Sequence, residues 1–160
     1  MTLARHPSET DERMMVRLVA LALEAHALQS DCNGDGTLAF GKGLSDPDEP
    51  DVILTDFTGR KRRWIEVGQP DERPLVRACS QADAVHVYAY APTADIWWRA
   101  LRNKVSRLDK LAVWHLAPAA IPELAALAER SMQLHATIQE GGLMLGSERG
   151  SVTVELERWK

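Results

Sequence analysis

Two acidic residues set the chemistry open to this chain. Asp51 lies at the head of Pro50-Asp51-Val52-Ile53-Leu54, and Glu66 lies within Trp64-Ile65-Glu66-Val67-Gly68, with Thr58-Gly59 between them. The β-branched and aromatic residues on both sides of that turn predict a hairpin in which 51–57 pairs with 63–68. A carboxylate opening one strand and another within its neighbour can converge on one divalent cation, Mg²⁺ or Mn²⁺, and hold it beside a phosphate. Asp51 and Glu66 are therefore the candidate metal ligands.

The flanking elements must hold that hairpin in place. Ser8 follows Pro7 and can cap a helix, with Glu9, Asp11 and Glu12 at the positive end of its dipole. From Met14 to Leu28 apolar residues cover most of the circumference, broken by Arg17, Glu24 and His26, as in a helix packed on a sheet. Glu12 lies on the stripe of Met15, Val16 and Val19 and reads either as a dipole partner or as a third, catalytic acid aimed at the metal site. After Gln69-Pro70, Asp71 can cap a second helix with Pro74 in its first turn. Arg73, Arg77 and Gln81 recur along one side of it, either as a solvated face or with Arg77 and Gln81 placed next to the metal.

Strands at 85–90 and 111–116 and helices at 93–108 and 121–132 then alternate, which predicts a parallel component to the sheet. Residues 133–139, 143–145 and 151–159 read as an antiparallel meander with turns at Gly141-Gly142 and Arg149-Gly150. The expected fold class is α/β, a mixed β-sheet flanked by helices with an added C-terminal antiparallel meander, in one domain over 1–160.

At 160 residues the chain buries roughly two-thirds of its unfolded surface, so a metal would serve function and not stability. Cys32 and Cys79 have neither ligand spacing nor the numbers for a disulfide framework. The net charge of −4, from 19 basic and 23 acidic side chains, excludes a polyanion binder acting by global field. A local patch, Arg60-Lys61-Arg62-Arg63, reads either as a solvated hairpin end or as a grip on the phosphates of DNA or RNA. No stretch reaches the ~20 apolar residues of a membrane span and the first residues lack a signal-peptide pattern, so a soluble cytoplasmic protein without membrane contact is expected.

Asp31-Cys32-Asn33-Gly34-Asp35-Gly36 imitates the first half of a calcium loop, but Lys42 stands where the bidentate glutamate belongs, and an ordinary surface loop is expected. His86 and His115 lie in apolar strands without ligand-spaced partners, and the five tryptophans are spread through predicted core elements as packing residues. Neither a serine or cysteine nucleophile motif nor a glycine-rich phosphate loop is present.

Leu3-Ala4-Arg5-His6-Pro7-Ser8-Glu9-Thr10, Glu12-Arg13-Met14-Met15, Asp48-Glu49-Pro50, Trp64 to Gly68, Pro70-Asp71-Glu72-Arg73, Ile96-Trp97-Trp98 and Ala136-Thr137-Ile138-Gln139 together resemble the YaeQ family of bacterial proteins. The resemblance runs over essentially the whole chain. It implies a restriction-endonuclease-like core of the PD-(D/E)XK nuclease superfamily and leaves the reaction open. It places the superfamily's first metal-binding carboxylate at Asp51, its second at Glu66 and its helix-one acid at Glu12, with Glu9 the lesser alternative. The superfamily lysine falls on Gly68, as it does in similar family members. The resemblance also leads to the expectation of a second departure at the start, where the family usually carries an N-terminal β segment before the motif that begins here at Leu3.

Two functions follow from the resemblance. One is a metal-dependent phosphodiesterase in which Arg77, Gln81 or Gln69 replaces the lysine. The other is a catalytically inactive nuclease-fold module that binds nucleic acid or a protein partner, its acids held in ion pairs by Arg62, Arg73 or Arg77.

Overall fold

Thr10, and not Ser8, begins the first helix. The Thr10 hydroxyl accepts the backbone N–H of Arg13 at 3.2 Å and its carbonyl accepts that of Met14 at 3.1 Å, whereas the Ser8 hydroxyl turns to the His6 ring at 2.7 Å. The expected cap therefore moves two residues along the chain, and α1 spans Asp11–Asp31. The computed structural model describes residues 3, 5–31, 33–41 and 48–160, with Asp31 described by its backbone alone. Of the calcium-like loop, Cys32 and Lys42 lie outside the described residues, while Asn33 and Gly34 turn the chain with φ of 50° and 79°.

Eight strands form one continuous sheet in the order β1-β2-β3-β4-β5-β8-β7-β6. β1 (Thr37–Phe40) is an edge strand that the sequence pattern did not reveal, because four residues after a run of turn formers give too short a period to read. β2 (Val52–Thr55) and β3 (Lys61–Val67) make the expected hairpin, antiparallel, with Val52 opposite Ile65. Its turn is fixed by Asp56, whose Oδ1 accepts the Thr58 N–H at 2.9 Å, the Thr58 hydroxyl at 2.6 Å and the Arg60 N–H at 3.0 Å.

α2 (Glu72–Gln81) begins after Asp71, which occupies the cap position without a side-chain cap bond. β4 (Ala84–Ala89) runs parallel to β3, and β5 (Leu111–Leu116) runs parallel to β4. Between them α3 spans Ala94–Leu101, shorter than the periodicity predicts. Beyond it tight turns such as Lys104 N to Leu101 O (2.9 Å) and Leu108 N to Val105 O (3.0 Å) keep Val105 buried at the spacing of a helix that has ended. α4 (Ala120–Ala126) likewise stops short of Met132. β6 (His135–Gln139), β7 (Gly142–Ser147) and β8 (Gly150–Arg158) are the expected meander, joined to the sheet where β8 pairs antiparallel with β5.

Strand alternation sorts the side chains into two cores. Ile65, Val67 and Tyr88 join Met15, Val16 and Val19 of α1, Leu124 of α4 and the inner residues of β7 and β8. Trp64, Val85, Val87 and Val113 join Leu75 and Ala78 of α2 and Leu101 of α3. Each fully buried aliphatic side chain of this size contributes about 1.5–3 kcal/mol. The result is a mixed, curled sheet flanked by helices on both faces. Among the described residues no helix is long and apolar enough to cross a membrane.

Candidate acidic site

β2 enters the sheet at the end where the parallel strands β3 and β4 leave it, and that end gathers the acids. Asp51 lies just before β2, and its backbone N–H donates to Ile65 O at 2.9 Å. Its carboxylate folds back over the end of β3, where Oδ2 accepts the Val67 N–H at 2.7 Å. Asp51 is only 4 % exposed as a result. Glu66, next to that bonded amide on β3, accepts the indole N–H of Trp64 at 2.7 Å and is hydrogen-bonded to Asp51. The carboxyl end of parallel strands is where open α/β sheets place their sites.

The head of α1 supplies the counter-charge. Arg13 donates from Nη2 to Asp51 Oδ1 at 2.6 Å and from Nη1 to Glu9 Oε1 at 3.1 Å. Glu9 is itself buried and takes both of its oxygens to Arg17 Nη1 at 3.0 Å. Glu9, Arg13 and Arg17 are spaced by four, so the helix sends all three toward one side. Burial works against the Arg13 charge, but Asp51 and Glu9 outweigh it and hold the guanidinium protonated above its ordinary range.

Glu66 carries the electrostatic strain of this arrangement. Burial, followed by the Asp51 charge, raises its carboxyl to about 8, against the lowering effects of the Trp64 N–H and Arg13. The raised value favours the protonated form of Glu66 beside Asp51. Tyr90, just beyond β4, belongs to the same neighbourhood. Burial and the charges of Glu12, Asp51 and Glu9 raise its phenol, opposed by Arg13.

The structure brings Asp51 and Glu66 together and distributes the other candidates around them. Glu12 is exposed at the head of α1, its charge reaching Tyr90. Arg77 is exposed on α2, where with Arg73, Val76 and Ser80 it lines a shallow groove, and it pairs with Asp48, three residues before Asp51. Gln81, at the far end of α2, accepts the Lys61 ammonium at 3.2 Å, at the opposite end of β3 from Glu66. Gln69 donates to the Thr93 hydroxyl at 3.0 Å. Glu9, the lesser alternative for the helix-one acid, is the buried one, whereas Glu12 is exposed. Arg13 and Tyr90 were not singled out from the sequence as members of the site, although the Glu9-Arg13-Arg17 spacing was the signal that could have shown Arg13.

Gly68 has a backbone reason to be glycine. Its φ is +112°, a conformation that side-chain-bearing residues rarely adopt, even though a Cβ there would meet nothing within 4 Å. Its N–H donates to Tyr88 O at 3.0 Å, which fixes that conformation against β4.

Among the described residues no three His, Cys, Asp or Glu side chains cluster as a metal site. Two carboxyls remain a fitting donor set for Mg²⁺ or Mn²⁺, which take hard oxygen ligands and can be held by one or two carboxylates with waters. Asp51 and Glu66 meet that description in type and proximity. Arg13 already occupies one Asp51 oxygen.

A second buried acid lies further along α1. Glu24, 1 % exposed, accepts the Tyr88 hydroxyl at 2.8 Å and lies 3.0 Å from His86 Nδ1, both through Oε1, while Oε2 accepts Arg63 at 2.8 Å. Burial opposes its ionisation, but the bonds and charges of His86 and Arg63 outweigh it and hold the carboxyl below its ordinary value. His86, expected to be a satisfied core histidine, has its partner in Glu24.

The basic cluster of the hairpin is likewise partnered. Arg60 and Arg62 both reach Asp83, at 2.7 and 3.4 Å, Arg63 is committed to Glu24, and Lys61 lies 5.3 Å from the centre of the Trp64 ring.

A mixed α/β sheet flanked by helices, with an acid pair at the carboxyl end of its parallel strands, is the class this geometry defines. Within that class the sequence profile of the YaeQ protein family matches residues 1–156, and the chain belongs to that family. It is 40 % identical over 161 aligned residues to "Uncharacterized protein YaeQ" of Salmonella typhi, covering 100 % of this chain and 84 % of the relative. The Escherichia coli K12 protein of the same description is 39 % identical with the same coverage. The crystal structure of YaeQ protein from Xanthomonas axonopodis pv. citri superposes with a TM-score of 0.88 at 40 % identity, over 100 % of this chain and 86 % of that one. That of YaeQ protein from Pseudomonas syringae gives 0.87 at 32 % identity, over 100 % and 84 %.

Proposed function

We propose that this protein is a divalent-cation-dependent phosphodiesterase on a restriction-endonuclease-like core, with Asp51 and Glu66 as the ligands of Mg²⁺ or Mn²⁺. The observation that carries this reading is the meeting of two acids at the end of β3: Asp51 folds onto the Val67 N–H at 2.7 Å, and burial followed by the Asp51 charge raises the adjacent Glu66 carboxyl. Two neighbouring acids, Asp51 buried and Glu66 half-buried, repel unless a proton or a cation lies between them, and a site that favours a proton there can exchange it for a metal ion. When bound, the cation would supply a Lewis acid for a phosphoryl oxygen and lower the proton affinity of attacking water.

The remaining work falls to the chain's own groups. Arg13 orients Asp51 and offers the fixed positive charge that Gly68 lacks; a guanidinium stabilises charge but cannot act as a base. Losing such a preorganised group costs about 3 kcal/mol, roughly a hundredfold in rate. Tyr90 presents a neutral phenol as a donor, and Glu12 stands exposed at the mouth to orient water. Arg77 and Gln81, paired with Asp48 and Lys61, are proposed to act as structural supports for α2 and not at the phosphate.

The test is cleavage of single- and double-stranded DNA and RNA in Mg²⁺ and Mn²⁺, comparing wild type with Glu66→Gln and Arg13→Ala. Metal-dependent cleavage lost in Glu66→Gln and reduced about a hundredfold in Arg13→Ala is the expected result. Cleavage unchanged in Glu66→Gln overturns it.

The Arg13–Asp51 ion pair at 2.6 Å favours a second reading, in which the guanidinium already neutralises Asp51 and the nuclease-like fold binds nucleic acid or a partner protein without cutting. Absence of cleavage under every metal condition, together with retained binding, is the result that reading expects.

A further inference from the structure

The tryptophans near the C-terminus form a surface that the sequence reading assigned to packing alone. Trp98 of α3 stacks on Trp159 with ring centres 6.3 Å apart and planes 20° apart, and Trp159 stacks on His115 of β5 at 4.4 Å and 9°. All three rings are half-buried, so the stack is braced from within and reaches solvent. Its assembly is already complete in the folded protein, and a planar ligand added to it meets rings held in place.

One helical turn beyond Trp98 the chain turns basic. Arg102, whose N–H bonds the Trp98 carbonyl at 2.8 Å, is followed by Lys104 and Arg107, and all three are exposed. None of the three makes a side-chain hydrogen bond or ion pair to a described residue. Of the acids on the same elements, Asp95 is engaged by Arg99 at 3.7 Å, and Glu157 and Asp95 act on the His115 ring. The Arg60–Arg63 cluster, in contrast, has its guanidiniums met by Asp83 and Glu24. Exposed cations on the turns that follow Trp98 fit a chain that alternates phosphates with unpaired planar bases; an acidic peptide would use the charges and leave the rings idle.

We propose that this surface, formed by α3, the turns after it and the end of β8, binds single-stranded nucleic acid, its phosphates on Arg102, Lys104 and Arg107 and its bases on the Trp98–Trp159–His115 stack. Trp97 donates to Pro70 O at 2.9 Å and Gln69 to the Thr93 hydroxyl at 3.0 Å, which ties the start of α3 to the loop that follows Glu66. Binding here needs neither cation nor chemistry at Asp51 and Glu66, so it stands or fails separately from the phosphodiesterase reading.

The test is fluorescence anisotropy of a labelled oligo-dT of about 16 nucleotides, titrated with the full chain in EDTA over a range of salt. Wild type is expected to bind with steep salt dependence. In Arg102→Ala/Lys104→Ala/Arg107→Ala the slope of log affinity against log salt falls by about 2, from three phosphate contacts at ~0.7 each. Trp98→Ala weakens binding at least fivefold, the lower end for loss of one stacking ring, and Arg60→Ala/Arg62→Ala leaves it unchanged. Melting curves confirm that each variant is folded; the triple variant changes only exposed side chains. No binding at low salt, an unchanged slope in the triple variant, equal affinity for duplex DNA, or equal affinity for poly-glutamate would each overturn the proposal.

Discussion

Two buried acid clusters lie along one helix, and they have been resolved in opposite ways. At Glu24 a carboxylate is surrounded by donors, with Arg63, His86 and Tyr88 within hydrogen-bonding distance, and its proton affinity is lowered. At Glu66 the donor is the indole N–H of Trp64, the neighbouring charge is another acid, Asp51, and the proton affinity is raised to about 8. Charge balance at the first makes it a clasp between α1 and the sheet. Imbalance at the second favours a proton on Glu66, the place where the proposed cation would sit. The contrast teaches which buried acids hold the fold together and which are held in place by it.

Breaking the clasp should have the largest effect. Glu24→Ala leaves Arg63 and Tyr88 without their acceptor and is expected to cost on the order of 4 kcal/mol in urea unfolding. A loss under 1 kcal/mol would mean that Glu24 does not secure α1.

Glu66 should respond in the other direction. Its raised folded value means that the native state binds a proton more tightly than the unfolded chain. Stability contributed by that proton is full below the ordinary glutamate range and is lost as pH rises toward about 8. Asp51, Trp64 and Arg13 act on this group and shape the same transition. Glu66→Gln, which mimics the protonated acid, is expected to be more stable than wild type by on the order of 3 kcal/mol at pH 9 and nearly equal to it at pH 5. Glu24, lowered, contributes stability that fades as pH falls. If both acids gave pH slopes of the same sign, the comparison would fail.

Two smaller effects sharpen it. Gly68→Lys puts a side chain on a backbone with φ of +112° and should lose about 2 kcal/mol of thermal stability, so the lysine cannot be restored without strain. Tyr88→Phe removes one of the bonds to Glu24 and should cost about 1 kcal/mol. Equal stability of Gly68→Lys and wild type would show that the backbone leaves room for lysine.

Much of this layout was legible in the sequence. The hairpin carrying Asp51 and Glu66 announced itself through β-branched residues and Thr58-Gly59, and the alternating strands and helices gave the parallel component. What stayed hidden depends on tertiary contact. Arg13 looked like one more charge on a helix until α1 was laid against the start of β2. Glu24 and His86 are 62 residues apart, and nothing local links them. β1 is four residues long and is a strand only because β2 is there to pair with it. The helix ends at Leu101 and Ala126 were misjudged because Val105, Leu108 and Leu127 keep a helical apolar spacing through turns.

The central claim is that Asp51 and Glu66 exchange a shared proton for a divalent cation. Titration calorimetry with Mn²⁺ at pH 7, repeated in buffers of different ionisation heat, measures both events together. The account predicts binding with release of about one proton per cation in wild type and no proton release in Glu66→Gln. Binding without proton release in wild type, or no binding at millimolar Mn²⁺, would contradict it.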